Sequence, residues 1–433
     1  MTPTTIGIIG IIALFVLIFS RMPVGFLMAL IGFFGFGAIV SFDASLNLLA
    51  RDFFSMFSSY NLTVIPLFVF MGQLAFHSGI SSRLFDSAYK FIGNLPGGLA
   101  IATIGACSAF AAICGSTNAT AATMAAATLP EMKRYNYKPE LATGVVAAGG
   151  SLGILIPPSV IFIVYGILTE QSIGKLFIAG ILPGILLTIL FVASILIWTT
   201  MRPELGPRGP RTTFREKIAS LSGIIETIII FIMVMGGLFA GFFTPTEAGA
   251  VGAFSTLAIA VIQRNLTWEG LFSALSETTR TTCMILVIVA GATVFGHFLA
   301  VSRIPYDIAN WISSFQLPPA VIMGIIILVY FIGGCFIDSL ALIMLTIPIF
   351  YPVVLNFGYD PIWFGVIIVL VTQIGVITPP VGVNVYVVSG VARDVPLNVI
   401  FKGVIPMLIA MIIATFLIVV FPQIALWLPS FIN

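Results

Sequence analysis

The stretch Gly150-Ser151-Leu152-Gly153-Ile154-Leu155-Ile156-Pro157-Pro158 decides how this chain is read. It sits inside an otherwise apolar run, residues 141–168. The two prolines remove two adjacent backbone N–H donors, and each proline in a helix interior costs about 3 kcal/mol. A helix cannot pass through unbroken. In lipid the freed carbonyls find no water, so such a break survives only where protein or a wet cavity satisfies it. The device returns 222 residues later as Thr372-Gln373-Ile374-Gly375-Val376-Ile377-Thr378-Pro379-Pro380. A break at membrane depth that occurs twice marks a candidate site.

Composition sets the class. Only 8% of residues are charged and 59% are hydrophobic, with a mean hydropathy of +1.17. Soluble domains carry about 25% charged residues, so an all-α polytopic membrane protein is expected, with membrane lipids around it. At roughly 17–25 residues per crossing, the chain has room for about ten spans and no extramembrane domain able to fold alone. No basic leader with a small-residue cleavage site is evident, and residues 6–20 read as the first span. Cys107, Cys114, Cys283 and Cys335 lie in apolar segments without metal spacing and read as small core residues. The formal net charge of +2 gives no reason to expect a nucleic-acid partner.

Spans are expected at 6–20, 24–41, 62–77, 141–168, 176–201, 218–241, 246–263, 282–300, 361–391 and 404–421. Short amphipathic connectors at 43–60, 80–94 and 267–281 suit the membrane interface. Two apolar blocks, 97–130 and 319–352, do not read as single spans. Each has a polar middle: Gly115-Ser-Thr-Asn-Ala-Thr120 in one and Phe336-Ile-Asp-Ser-Leu340 in the other. Both are expected to be re-entrant helical hairpins with polar tips near the midplane.

At the constant offset of 222, Pro23 matches Pro245, Pro96 matches Pro318, Pro130 matches Pro352 and Tyr137 matches Tyr359. Pro139, Gly153 and the Pro-Pro pair also fall on register, and Ser116 falls on Asp338. The chain reads as a duplicated unit: residues 1–201, a cytoplasmic linker 202–217, and residues 218–433. Each half has five full crossings, because a hairpin returns to its own side. An odd number makes the halves antiparallel, giving two inverted repeats, each with one hairpin and one Pro-Pro-broken helix. With both termini outside, fifteen of the 18 Lys and Arg residues fall inside, and only Arg51, Lys175 and Arg303 fall outside. The positive-inside rule favours that orientation.

Thr244-Pro-Thr-Glu247 carries a capping Thr, a proline at the first helical position and a Glu three residues after the cap, so Glu247 reads as a cap. Glu226 reads as a hydrogen-bond partner of a neighbouring span. Soluble-enzyme constellations are missing. His77 and His297 have no carboxylate or cysteine at ligand spacing, and no Walker-type loop, Gly-x-Ser-x-Gly or His-Glu-x-x-His appears. No enzymatic function and no bound cofactor are expected.

What remains is oxygen ligands at helix breaks. Ser116, Thr117, Asn118 and Thr120 occupy one tip, and Asp338 and Ser339 the other. The 153–158 and 375–380 breaks expose carbonyls, with Gln373, Thr378 and Asn384 nearby. Neutral oxygens and half-helix carbonyl ends suit a hard, weakly held cation such as Na⁺, and helix N-termini suit an anionic substrate group. Asp338 is the one obvious titratable group at this depth and a functional candidate by default.

At these residues the resemblance to a known family becomes specific. The tip Gly115-Ser-Thr-Asn-Ala-Thr-Ala-Ala-Thr123, the exit Pro130-Glu-Met132 with Tyr137-x-Pro139, Gly153-Ile-Leu-Ile-Pro-Pro158 and Gly334-x-Phe-x-Asp338 resemble the large membrane (M) subunit of tripartite ATP-independent periplasmic (TRAP) transporters. The resemblance covers essentially the whole chain. It implies divided scaffold and transport domains, an elevator movement and a Na⁺ gradient as driving force. It also implies a periplasmic substrate-binding (P) protein as partner and a small four-helix membrane (Q) subunit. Because the chain begins at its first span, it resembles the unfused form. The scaffold would be mostly 6–95 and 218–316. One Na⁺ would lie among Gly115, Ser116, Asn118, Gly153, Ile156 and Pro157. Another would lie among Phe336, Asp338, Gly375, Thr378 and Pro379. The organic anion, of sialic acid or C4-dicarboxylate type, would sit between the tips, near Ser116, Thr117, Asn118, Thr120, Pro158, Asp338, Ser339, Pro380 and Asn384. The expected location is the bacterial inner membrane, with N- and C-termini periplasmic. A stand-alone symporter or antiporter is the nearest rival, and a passive pore a more distant one.

Overall fold

The computed structural model describes residues 2–18, 20, 22–209, 212–314 and 318–431. Phe19, Arg21 and Arg211, which entered the span and charge assignments above, lie outside the described residues. The described residues form helices and connecting turns, with no strand among them. Among the described residues seven helices are long and apolar enough to cross a membrane: Tyr60–His77, Ile173–Met201, Phe214–Phe239, Pro245–Ile262, Trp268–Ser302, Ser339–Asn356 and Leu397–Val420. Shorter apolar helices, such as Pro3–Ile18 and Val24–Ile39, fill in between. The outer surface carries Phe34, Ile197, Phe254, Ile262 and Phe416, all more than half exposed. Such a continuous apolar exterior suits lipid rather than water.

Element bounds repeat along the chain. A shift of 222 carries Thr117–Arg134 onto Ser339–Asn356 residue for residue, and carries Val160–Thr169 to within a residue of Val383–Val391. Both hairpins form. Gly98–Cys114 turns back into Thr117–Arg134 through two residues, and Pro319–Gly334 into Ser339–Asn356 through four. Their second arms run further than expected, to Arg134 and Asn356, with Pro130 and Pro352 inside the helices. Pro130 frees the carbonyl of Ala126, which lies on an exposed turn where the loss is tolerated.

One expected element boundary fails. The connector 267–281 is not separate but opens the continuous 35-residue helix Trp268–Ser302. The matching stretch in the first half is two helices, Phe42–Phe57 and Val64–His77. Pro66 sits in the first turn of the latter and bars the α-helix from extending backwards, so the chain before it runs as the 3₁₀ turn Tyr60–Thr63 and not on into Phe42–Phe57. Its counterpart, Ile288, imposes no such stop.

Glycines let helices of opposite halves meet backbone to backbone. A Cβ on Gly25 would lie 2.8 Å from the Ile288 Cα, and one on Gly144 would overlap Gly403. The caps follow local chemistry: Thr244 and Glu247 form a full capping box, with Glu247 accepting from the Thr244 N–H at 2.8 Å. Buried Glu226 joins three elements, accepting from Arg83 at 2.8 Å and from Gln263 at 2.5 Å. His77 and His297 do meet carboxylates, from distant segments: Glu277 at 3.6 Å and Asp52 at 3.3 Å. Three cysteines are buried as expected; Cys283 is exposed, because it falls on the outer face of Trp268–Ser302.

Candidate transport site

The first hairpin tip is built by two residues. Gly115 ends Gly98–Cys114 in the left-handed region, φ +63°, where a side chain is strained. Ser116 is extended and caps the next helix, its Oγ accepting the Ala119 N–H at 3.4 Å. Thr120 donates its hydroxyl to the Ser116 carbonyl at 2.8 Å. This tip seats directly in the first helix break. A Cβ on Gly153 would lie 2.5 Å from the Ser116 carbonyl oxygen and 2.8 Å from the Thr120 hydroxyl. A Cβ on Gly115 would lie 2.8 Å from the Pro158 carbonyl oxygen. Neutral oxygens therefore crowd a glycine-lined seam.

The first break itself runs from the 3₁₀ turn Ser151–Ile154 through the cis Pro157–Pro158 bond to Ser159, which caps Val160–Thr169. It is buried except for part of Ile156. Helix Ile173–Met201 lies across it: a Cβ on Gly180 would be 2.6 Å from the Leu155 oxygen, and one on Gly184 2.6 Å from Ile156 Cγ1.

The second tip, residues 335–338, ends at Asp338. Its Oδ2 accepts the Leu340 N–H at 3.0 Å and so caps Ser339–Asn356. Gly334 packs on the backbone of the second broken helix, a Cβ there lying 2.9 Å from the Thr372 oxygen. That helix, Pro361–Val376, breaks at Ile377. Thr378 donates its hydroxyl to the Ile374 carbonyl at 2.6 Å, and the Pro379–Pro380 bond is again cis. Here Pro379 and Pro380 are exposed.

A buried amide ties the tips together. Thr117 donates to Gln373 Oε1 at 3.0 Å, and Gln373 Nε2 donates to Ser339 Oγ at 2.8 Å. All three residues are buried. Beside this bridge lies a cavity of about 290 Å³, lined by Gly115, Ser116, Thr117, Asn118, Asp338 and Ser339 from the tips. Its far wall comes from Gly72 and Gln73 on Val64–His77 and from Thr281, Met284 and Ile285 on Trp268–Ser302. Asp338 is exposed to this space, and among the described residues no Lys or Arg pairs with it. Two 18-residue helices begin at the cavity, Thr117–Arg134 and Ser339–Asn356. The first-turn N–H groups that the Ser116 and Asp338 caps leave free, and the positive ends of the two helices, make the space attractive to an anion despite the single carboxylate.

Profile comparison matches residues 11–424 to the family described as tripartite ATP-independent periplasmic transporter, DctM component. The chain belongs to this TRAP permease family. The C4-dicarboxylate TRAP transporter large permease of Pseudomonas aeruginosa is 36% identical, over 90% of this chain and 91% of that protein. The sialic acid TRAP large permease of Vibrio cholerae is 35% identical, over 96% of each. The isethionate TRAP permease DctMQ of Oleidesulfovibrio alaskensis is also 35% identical, over 94% of this chain but 64% of its own length. Among solved structures, the YdaH transporter of Alcanivorax borkumensis shares the fold, with TM-score 0.62 at 15% identity over 88% of this chain and 87% of that one. Family membership makes the protein a multi-span membrane transport permease rather than an enzyme.

Within this TRAP permease, the structure gathers Gly115, Ser116, Thr117, Asn118, Asp338 and Ser339 around one cavity. Thr120, Gly153, Pro157 and Pro158 lie behind the first tip, in the seam. Ile156 faces Gly184 instead. Gly375 packs on Gly334 beneath the second tip, while Phe336, Thr378, Pro379 and Pro380 lie off the cavity. Asn384 is also off it: fully buried, it donates to the Ala147 carbonyl at 3.0 Å. Sequence reasoning missed the far wall of the cavity, which Val64–His77 and Trp268–Ser302 supply. Gln73, an uncharged polar residue inside an apolar span, is the signal that was available.

Proposed function

We propose that this chain is the transport-carrying subunit of a three-part system that takes up a small organic anion by Na⁺ symport. The observation that carries the reading is the cavity between the bridged tips. It combines hydroxyls, an amide, two helix N-termini and one carboxylate with no basic side chain. At about 290 Å³ it is at the small end of ligand sites, about 300–1,000 Å³, which suits an organic acid of C4-dicarboxylate or sialic acid type. Those are the cargoes named for the Pseudomonas and Vibrio relatives.

Na⁺ is the coupling ion in this reading. The first candidate position is the seam of Gly115, Ser116, Asn118, Gly153, Ile156 and Pro157, where neutral oxygens converge. The second involves Phe336, Asp338, Gly375, Thr378 and Pro379. Weak, neutral coordination lets an ion bind and leave in each cycle. The halves are inverted repeats, and the hairpins with the broken helices move as an elevator against a scaffold drawn mostly from 6–95 and 218–316.

Loops rich in Lys and Arg gather on one face, which supports an orientation with both termini periplasmic in a bacterial inner membrane. Tyr137 accepts the Leu99 N–H at 3.1 Å and donates to the Pro207 carbonyl at 3.0 Å, Thr212 donates to Lys90 O at 2.5 Å, and Lys133 meets Asp394 at 2.6 Å. The partners are a periplasmic binding protein that delivers the anion and a small membrane subunit. The longer DctMQ relative, of which this chain covers only 64%, supports the latter.

The test is uptake into proteoliposomes containing all three components, driven by an imposed Na⁺ gradient. Asp338→Ala and Ser116→Ala should each reduce Na⁺-stimulated uptake. Unchanged sodium stimulation in both variants refutes the site. Uptake with no soluble partner added would replace the three-part reading with a stand-alone symporter.

A further inference from the structure

Gln373 does not line the cavity, yet it touches two residues that do. An amide has one accepting end and one donating end, so its bridge forces opposite roles on the two hydroxyls. Thr117 commits its only proton to Gln373 Oε1 and can offer the cavity lone pairs alone. Ser339 receives a proton from Gln373 Nε2 and keeps its own O–H free. We infer that Gln373 is a positioning residue that makes Ser339 a hydroxyl donor to the transported anion while holding Thr117 as an acceptor. This rests on reading the cavity as an organic-anion site. The first half has no equivalent: the matching residue, Ser151, donates to its own helix at Ala148 O, 2.5 Å away.

The polarity can be reversed by one substitution. In Gln373→Glu an ionised carboxylate accepts from both hydroxyls, so Ser339 turns its proton away from the anion. The protonated acid has one O–H and one C=O and restores the pattern of the amide. Gln373→Met keeps the length and has neither. Asp338 and Cys114 are the titratable residues lining the cavity, and the wild-type pH profile carries their contribution.

The experiment measures KM and Vmax for radiolabelled succinate and sialic acid, across pH, in the complete reconstituted system. In Gln373→Glu, KM for the acid that wild type carries should rise about tenfold or more at alkaline pH, the weight of one hydrogen bond to a charged group. It should return toward wild type as pH falls, with Vmax changed less. Gln373→Met should show a smaller rise with no added pH dependence. A wild-type KM in Gln373→Glu at every pH overturns the inference. So does an identical, pH-independent loss in both variants, which is what mere packing would give. If Gln373→Glu does not assemble, Ser339→Ala decides. It should weaken competition by the carboxylate more than competition by an analogue bearing a neutral amide, whose carbonyl is the weaker acceptor, and equal loss for both overturns the inference. Wild-type complex that takes up neither acid under a Na⁺ gradient defeats the functional reading itself, and this inference with it.

Discussion

The two Pro-Pro breaks share a sequence device and a cis bond, yet they sit in different surroundings. The first is buried, with the Leu155 carbonyl under Gly180 and the Ile156 side chain under Gly184 of Ile173–Met201. The second leaves Pro379 and Pro380 exposed. The sequence Gly180-Ile-Leu-Pro183 returns as Gly403-Val-Ile-Pro406, one residue further along than the 222 register. Gly403 then packs on Gly144 of the other half rather than over its own break, and Met407 stands where Gly184 does. The hairpin tips diverge likewise. The first supplies neutral oxygens and a glycine turn, while the second supplies the carboxylate and, through Gln373, the bridge. Matching helix bounds thus carry two chemically unequal tips and breaks.

Removing the tip side chains is the sharpest way to break that comparison. Asp338→Ala removes both a helix cap and the one carboxylate in the cavity. It should lower Na⁺-driven uptake by about a hundredfold, equivalent to about 3 kcal/mol. Ser116→Ala removes a neutral oxygen whose neighbours remain, and about a tenfold loss is expected. Initial rates at several Na⁺ concentrations distinguish the two. Equal losses would mean that the sites are equivalent despite their chemistry.

The glycine seams offer a second test, read as stability. In Gly375→Ala the new methyl meets the Gly334 Cα at 2.6 Å and the Cys335 nitrogen at 2.7 Å, backbone atoms that cannot rotate away. In Gly153→Ala it meets the Ser116 oxygen at 2.5 Å, but also the movable Thr120 hydroxyl. Overpacking costs about 1–3 kcal/mol, with Gly375→Ala expected at the upper end and Gly153→Ala below it. Thermal unfolding in detergent gives the order, and a reversed order would show the first seam to be the stiffer. Amide exchange asks the same of the wild type. Residues 381–382, whose N–H groups have no backbone partner, should exchange faster than 155–156, where Leu155 and Ile156 N–H both reach the Leu152 carbonyl.

Much of this was legible because proline, glycine and charge act locally. Pro157, Pro158, Pro379 and Pro380 announce their breaks wherever they stand, Thr244 and Glu247 form a cap from four consecutive residues, and polar tips stand out in apolar blocks. What was not legible depends on contacts across the chain. Nothing near Gln373 shows that it will bridge Thr117, 256 residues away. Asn384 looked like a site residue because it follows a break, but the fold turns it toward Ala147. The continuity of Trp268–Ser302 was hidden for the opposite reason. Its polar Ser276–Arg280 stretch resembles a connector, yet lacks the Pro66 that makes one in the first half.

The smallest expected effect concerns how each hairpin's second arm is tied to the end of the other half's broken helix. One tie is ionic, Lys133 to Asp394 at 2.6 Å, both exposed. The other is neutral: Tyr351 donates to the Thr169 carbonyl at 3.2 Å and accepts from Gln171 at 3.1 Å, half-buried. The hydrogen bond from Lys133 holds the Asp394 carboxyl below the usual carboxylate range. A depressed folded value means that this tie contributes above the unfolded value of about 3.9 and fades as pH falls through the folded one. Exposure and salt screening keep the contribution small. Tyr351→Phe should therefore cost about 1 kcal/mol at any salt concentration. Asp394→Asn should cost less, and its effect should vanish in high salt or in acid. Melting curves at two salt concentrations decide the matter. A salt-independent loss in Asp394→Asn would mean that the exposed pair is held by the surrounding backbone and not by charge.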